Sequence, residues 1–216
     1  MNNDNPHAAQ PLIFAGTPLA KATSALLLLH GRGASAEDIL GLGEAIAPAG
    51  VALAAPQAAG HTWYPYSFLA PRRENEPYLT SALARIQVAI AEFEAAGIPA
   101  DGIALCGFSQ GACLATEFVA RHPRRYAALV AFTGGLIGPP GAPLSVDGPL
   151  GGLPVLFSSG DPDPHVPWAR VEQSAELLRE AGAEVTMRRY PGRPHTVLHE
   201  EAETARTLLA SLGSAA

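Results

Sequence analysis

The sequence lacks the features that would place it in several large classes of protein. It has only two cysteines, Cys106 and Cys113, both inside apolar stretches. No disulfide framework can therefore hold it together, and a reducing compartment is the simpler setting. It has no basic surplus: 14 Lys and Arg against 20 Asp and Glu leave a formal charge of −6, which removes the electrostatic basis for neutralising nucleic-acid phosphates. No apolar run approaches the ~18–20 residues needed to span a bilayer; the run Leu26–Leu29 is far too short, and His30 ends it. The opening Met1-Asn2-Asn3-Asp4-Asn5-Pro6-His7 has no basic cluster ahead of an apolar core, so it does not read as a signal peptide. These absences point to a soluble, cytoplasmic protein, a monomer or homodimer, with neither a nucleic-acid partner nor a membrane span.

What is present is a sizeable core. Of 216 residues, 48% are hydrophobic and 16% charged, which excludes disorder over most of the length and fits one domain. The 22 glycines and 20 prolines make the chain loop-rich, short of the roughly 25–30% share of a low-complexity sequence. The expected organisation is a disordered N-terminal tail over 1–10 and a single domain over 11–216. Short apolar runs at 25–29, 51–55, 102–106, 127–132, 155–158 and 185–190 read as strands. Most are continuous rather than alternating, as strands covered on both faces require. Between them, Tyr78 to Ala96 repeats apolar residues at spacings of three and four before Gly97 and Pro99 stop it, a helix signature. Other helices begin near Gln110, Trp168 and Thr196, the last closing with Leu208 and Leu212 before Gly213. This alternation predicts an α/β fold, a mostly parallel central sheet with helices on both faces. Two long irregular segments remain, 56–77 and 133–154, and loops of that length are usually functional or disordered.

The strongest chemical signal is Gly107-Phe108-Ser109-Gln110-Gly111. An apolar strand runs into it and a helix pattern leaves it, the context in which Gly-x-Ser-x-Gly holds a serine on a sharp turn with its hydroxyl projecting. Side chains two residues before and after the serine would collide with the neighbouring strand and helix, so both flanks must be small. The helix N-terminus adds donors and a dipole suited to developing negative charge.

A serine hydroxyl is a weak nucleophile and needs a base that is itself oriented by a carboxylate. Downstream, Asp161 and Asp163 follow a strand, and His195 lies just past the last strand in Tyr190-Pro191-Gly192-Arg193-Pro194-His195. The order Ser, acid, His, each after a strand's carboxyl end, is the order of the hydrolases built on this turn, at the edge where open α/β sheets place their ligands. Leu28-Leu29-His30-Gly31-Arg32-Gly33 follows an early strand, so the backbone N–H of Arg32 could join that of Gln110 as an oxyanion hole.

On these residues the chain resembles the α/β-hydrolase superfamily, specifically the phospholipase/carboxylesterase family that includes acyl-protein thioesterases. The likeness runs from about Ala25 to the last helix, through His30-Gly31-Arg32-Gly33-Ala34, Trp63-Tyr64, the serine turn, Asp163-Pro164-His165-Val166-Pro167 and Gly192 to His195. The resemblance implies Ser109 as nucleophile, Asp163 as the orienting acid and His195 as base, with oxyanion donors at Arg32 and Gln110. It favours Asp163 over Asp161 because the family's acid precedes Pro-x-Val-Pro. It places Trp63, Tyr64 and Phe68 at a substrate-binding rim, and it implies an α/β-hydrolase fold; at this length little room remains for a separate lid domain.

The implied activity is a serine hydrolase cleaving small to medium carboxylic esters through an acyl-serine intermediate, with no cofactor and no metal. Its rate should fall as pH drops through the histidine range, about 6.5. A lysophospholipase or acyl-protein thioesterase, a small-amide or lactone hydrolase, and a non-catalytic binding protein of the same fold are the other readings. Against the thioesterases, this chain has Arg32 where they usually have Leu, and no obvious oily acyl channel. Among the remaining histidines, His165 reads as a rim residue, His30 as structural, His122 as a helix-end contact and His7 as part of the disordered tail. His195 and His199 have metal-pair spacing but no third ligand cluster. The Arg32 side chain is expected to point to solvent.

Overall fold

The computed structural model describes residues 5–212. Seven strands form one sheet in the order β1-β3-β2-β4-β5-β6-β7. They are β1 (Leu12–Gly16), β2 (Ser24–Leu29), β3 (Val51–Pro56), β4 (Ile103–Phe108), β5 (Ala128–Phe132), β6 (Pro154–Asp161) and β7 (Glu184–Pro191). Only β1, on the β3 edge, is antiparallel; every other pairing is parallel. The helices are α1 (Ala36–Ile46), α2 (Tyr78–Ala95), α3 (Gln110–Arg121), α4 (Trp168–Glu180) and α5 (His199–Leu208).

The continuous apolar runs are explained by burial on two faces. In β2, Ala25, Leu27 and Leu29 join the core under α2, α3 and α4, whereas Leu26 and Leu28 join the core under α1 and α5. Successive strand side chains point to opposite faces, and here each face meets a helix layer.

The six expected strands are all present, each within a few residues of its expected bounds. Two elements were not legible. Strand β1 is short and half-exposed, with Phe14 47% accessible, so it lacks the buried run of its neighbours. Helix α1 carries Gly41 and Gly43, which lower helix propensity. A Cβ on Gly43 would press on Leu28, 3.2 Å from its Cδ2, so the glycine buys close packing of α1 on β2. The Ser35–Asp38 capping box at its start was the available signal. The final helix begins at His199 rather than Thr196, and Gly213 lies outside the described residues.

The structure also differs over the N-terminal tail. Residues 1–4 lie outside the described part, but His7 is fully buried. Its Nε2–H donates to Trp63 O at 3.0 Å, its Nδ1 accepts from Ala59 N–H at 3.0 Å, and its backbone N–H donates to Ser81 Oγ at 3.0 Å. The segment is held by contacts more than fifty residues away, which no local pattern reveals.

Both long segments are packed. Residues 56–77 include two short 3-10 turns, and 133–154 buries Leu136, Ile137, Leu150 and Leu153. Glu117, 2% exposed, links them: it pairs with Arg72 of the first and accepts from Ile137 N–H of the second at 2.9 Å. Gly138 N–H donates to Phe68 O at 2.8 Å, joining the two segments directly.

Candidate active site

The carboxyl ends of β2, β4, β6 and β7 lead into the Arg32, Ser109, Asp163 and His195 turns respectively. Ser109, between β4 and α3, has φ 55° and ψ −118°, in the region that non-glycine residues rarely adopt and that persists only when surroundings enforce it. The enforcement is visible at the two glycines. A Cβ on Gly107 would lie 2.6 Å from Ala112 N, and one on Gly111 would lie 2.6 Å from His30 O. The elbow is therefore pinned between the α3 backbone and the end of β2.

From Ser109 a hydrogen-bonded chain runs inward. Ser109 Oγ donates to His195 Nε2 at 2.9 Å, and His195 Nδ1–H donates to Asp163 Oδ2 at 2.8 Å. The Asp163 side chain is fully buried and that of His195 is 20% exposed. Asp163 Oδ1 accepts from the N–H groups of His165 (2.9 Å) and Val166 (3.0 Å). Burial pushes the Asp163 carboxyl up, but the His195 bond and these two backbone donors outweigh it and hold the carboxyl below its usual range. Asp161 is engaged elsewhere, accepting from Arg189 Nε–H at 2.7 Å. The structure thus separates the two aspartates that spacing alone left open.

The His195 turn is held by an internal network. Arg193 donates to Thr133 Oγ1 at 2.6 Å and to Pro194 O at 2.9 Å, and it pairs with Glu201 of α5. Glu201 in turn accepts from Ser158 Oγ and from Leu198 N–H at 2.8 Å. Nothing in the local sequence marks this brace, because its members come from β6, α5 and two loops.

The side chain of Arg32 does not point freely to solvent. Its guanidinium donates to the carbonyls of Tyr64 (2.9 Å), Pro65 (2.8 Å) and Tyr66 (2.7 Å). Gln110 grips the same loop from the other side: its Oε1 accepts from Trp63 N–H at 2.9 Å and its Nε2 donates to Tyr64 O at 2.8 Å. The side chains of the two candidate oxyanion donors are thus tied to one loop.

Above Ser109 lies a cleft of about 460 Å³, lined by Tyr64, Phe68, Phe108, Cys113, Val166 and His195 among others. Tyr64 and Phe68 reach its wall, but Trp63 does not. Trp63 is fully buried, donates Nε1–H to His30 O at 2.9 Å, and packs between His7 and His30. Its indole N–H needs an acceptor once buried, and the His30 carbonyl supplies it. His165 sits at the rim, its ring edge-on to His195 at 4.7 Å. His199 is 90% exposed beside Glu203, and among the described residues no cluster of three His, Cys, Asp or Glu could hold a metal ion. Burial pushes the thiols up, Cys113 to about 12 and Cys106 further still, so neither is a ready nucleophile. Among the described residues no helix is long and apolar enough to cross a membrane.

Comparison with known proteins agrees with this architecture. The family model for phospholipase/carboxylesterase matches residues 14–212. A solved phospholipase/carboxylesterase from Dyadobacter fermentans is 43% identical with a TM-score of 0.89, over 94% of this chain and 97% of that one. NocK of Nocardia uniformis subsp. tsuyamanensis, named as an esterase, is 32% identical over 73% of this chain and 43% of its own. A protein of Oryza sativa subsp. japonica named as a carboxylesterase is 28% identical over 59% of this chain and 48% of its own. The chain spans about half the length of the curated relatives it matches.

Proposed function

The chain belongs to the phospholipase/carboxylesterase family, and from that premise we propose that it is a serine hydrolase of small to medium carboxylic esters, acting through an acyl-Ser109 intermediate. The observation that carries the proposal is the unbroken chain from Ser109 Oγ through His195 to buried Asp163, opening into a cleft of ligand size.

In this reading Ser109 Oγ attacks the ester carbonyl carbon. The new C–O bond forms as the hydroxyl proton passes to His195 Nε2 and the carbonyl π pair moves to oxygen. The N–H groups of Arg32 and Gln110 hold that oxyanion; removing one such donor lowers kcat by roughly 10²–10³. Collapse breaks the bond to the alcohol, whose oxygen takes the proton from His195. Water, deprotonated by His195, then attacks the acyl-Ser109 carbonyl; as the C–Oγ bond breaks, Ser109 Oγ takes the proton back from His195 and the acid leaves. Asp163 keeps Nδ1 protonated, so that Nε2 is free to accept the serine proton, and it stabilises the imidazolium.

The test is hydrolysis of p-nitrophenyl esters of increasing acyl length, comparing wild type with Ser109→Ala. Activity that peaks at short chains and disappears in the variant is the expected result. A rate that rises toward long chains moves the assignment to a lysophospholipase or acyl-protein thioesterase. No Ser109-dependent turnover, together with no labelling by a serine-directed phosphonate, overturns the enzymatic reading in favour of a binding role.

A further inference from the structure

A second cavity of about 260 Å³ adjoins the cleft on the α1 and α5 side. It does not include Ser109, but it shares four wall residues with the main cleft: Gly31, Ala34, Phe108 and His195. Its remaining lining is half aliphatic, from Ile39 and Leu42 of α1 and Val197 past the His195 turn, and half polar, from His30, Asp38 and Thr196. Leu42, Val197 and Phe108 are partly buried and pack on the core beneath the α1 and α5 layer, so the walls are formed by ordered elements. Gly31 lines both cavities, and its lack of a side chain leaves room between them and the serine turn. A Cβ there would lie 3.3 Å from the Phe108 ring and 3.6 Å from Ser109 Cβ.

We propose that this second cavity binds the alcohol portion of the ester, and that it takes an uncharged apolar group the size of a single ring or a short branched alkyl chain. This rests on the reading of Ser109 and His195 given above. At the tetrahedral centre, the carbonyl oxygen faces the Arg32 and Gln110 N–H groups, and the departing oxygen must face His195 Nε2, from which it takes its proton. Whatever is attached to that oxygen therefore extends past the imidazole. On the side of Thr196 and Val197, the chain leaves a concave space there. The acyl portion is left to the larger cleft, against Tyr64, Phe68 and Cys113.

Asp38, solvent-exposed in the cavity wall, adds a negative charge on that side. Its Oδ2 accepts from Ser35 N–H at 2.8 Å and Ser35 Oγ–H at 2.9 Å, and these donors hold the carboxyl below its ordinary range. An alcohol portion bearing a carboxylate or phosphate would meet a fixed negative charge. The main cleft has Arg32 in its wall where the second cavity has Asp38, so the two subsites differ in the charged residue each carries as well as in size.

The experiment varies the two halves of the ester separately. With acetate as the acyl group, kcat/KM is measured for the methyl, benzyl and carboxybenzyl esters; with methanol as the alcohol, it is measured for acetate and hexanoate. Wild type, Leu42→Trp and Leu42→Ala are compared as ratios within each protein, so a general loss of activity cancels. Leu42→Trp fills the space and should lower the benzyl-to-methyl ratio on the order of tenfold, the scale on which an apolar pocket discriminates. Leu42→Ala enlarges the space, so naphthylmethyl acetate, measured alongside in each protein, should gain on benzyl acetate, and the hexanoate-to-acetate ratio should stay within about threefold in both variants. In wild type the carboxybenzyl ester should be the poorest of the methyl, benzyl and carboxybenzyl esters. A shift in the acyl ratio with none in the alcohol ratio assigns the cavity to the acyl chain and overturns the proposal. So does an unchanged benzyl-to-methyl ratio in both variants. If those ratios fail while Ser109→Ala abolishes turnover, only the subsite is lost; if Ser109→Ala retains turnover, the underlying reading falls with it.

Discussion

Arg193 and Glu201 form an ion pair with side chains 1% and 0% exposed, Arg193 Nε lying 3.1 Å from Glu201 Oε2, two residues from His195. A charge pair this deeply buried is weak evidence for stability, but removing one partner strands the other, at a cost of about 3–5 kcal/mol. Glu201→Ala should therefore be destabilised by roughly that amount in urea unfolding. The double variant Arg193→Met, Glu201→Leu should recover part of the loss. Recovery of stability without recovery of kcat would identify the pair as a positioning device for the His195 turn. Equal recovery of both would make it purely structural.

The Asp163–His195 contact makes a sharper prediction. Asp163→Asn preserves shape, but its amide can present an N–H to Nδ1 and so favour the tautomer in which Nε2 is protonated and cannot take the serine proton. kcat should fall on the order of 10³–10⁴, with KM changed little. Retention of most of the activity in Asp163→Asn, with Asp161→Asn severely impaired, would reverse the choice between the two aspartates.

Arg32 ties three consecutive carbonyls, and its planar fork is what allows it to do so. Arg32→Lys should not substitute for it, because one ammonium cannot span the Tyr64, Pro65 and Tyr66 oxygens in the same geometry. Both Arg32→Lys and Arg32→Leu should lower kcat/KM by about tenfold and raise amide hydrogen exchange across residues 62–68. Unchanged exchange in that segment would detach Arg32 from the loop.

His7 and His30 are both buried and neutral, with ring nitrogens accepting from Ala59 and Ala58 N–H respectively. Desolvation pushes both below the ordinary histidine value, more than their backbone partners push them up. Unfolded histidines take up protons as pH falls through about 6.5, whereas these resist until lower pH. Stability present at neutral pH should therefore decline progressively below about 6.5. Each ring that protonates loses an accepted hydrogen bond, about 1–3 kcal/mol when the donor stays buried. His30→Asn and His7→Asn should each be less stable than wild type at pH 7.5 and show a shallower decline to pH 5. An equally steep decline in both variants would place the acid sensitivity elsewhere.

The serine elbow was legible because its demands are local. Gly107 and Gly111 are required by atoms within a few residues and by one neighbouring strand, and a strand-turn-helix pattern announces that geometry. The central strands were legible for a similar reason, since burial on both faces leaves a continuous apolar run in any context. Asp163 and His195 could be named by chain order and resemblance, but nothing local made them meet; the β6–β7 pairing and the fold of their turns decided that.

Where reading failed, the deciding partner was distant. His7 is ordered by Trp63 and Ala59, Arg32 is turned back by a loop more than thirty residues on, and Trp63 leaves the cleft because the buried His30 carbonyl takes its indole N–H. Hydrophobic periodicity and steric demand act over short stretches, so the layered sheet and the strained serine follow from the order of the residues alone. Which side chains line the cleft, which brace it, and that a second cavity lies beside His195 depend on donors, acceptors and walls that folding brings together from distant parts of the chain.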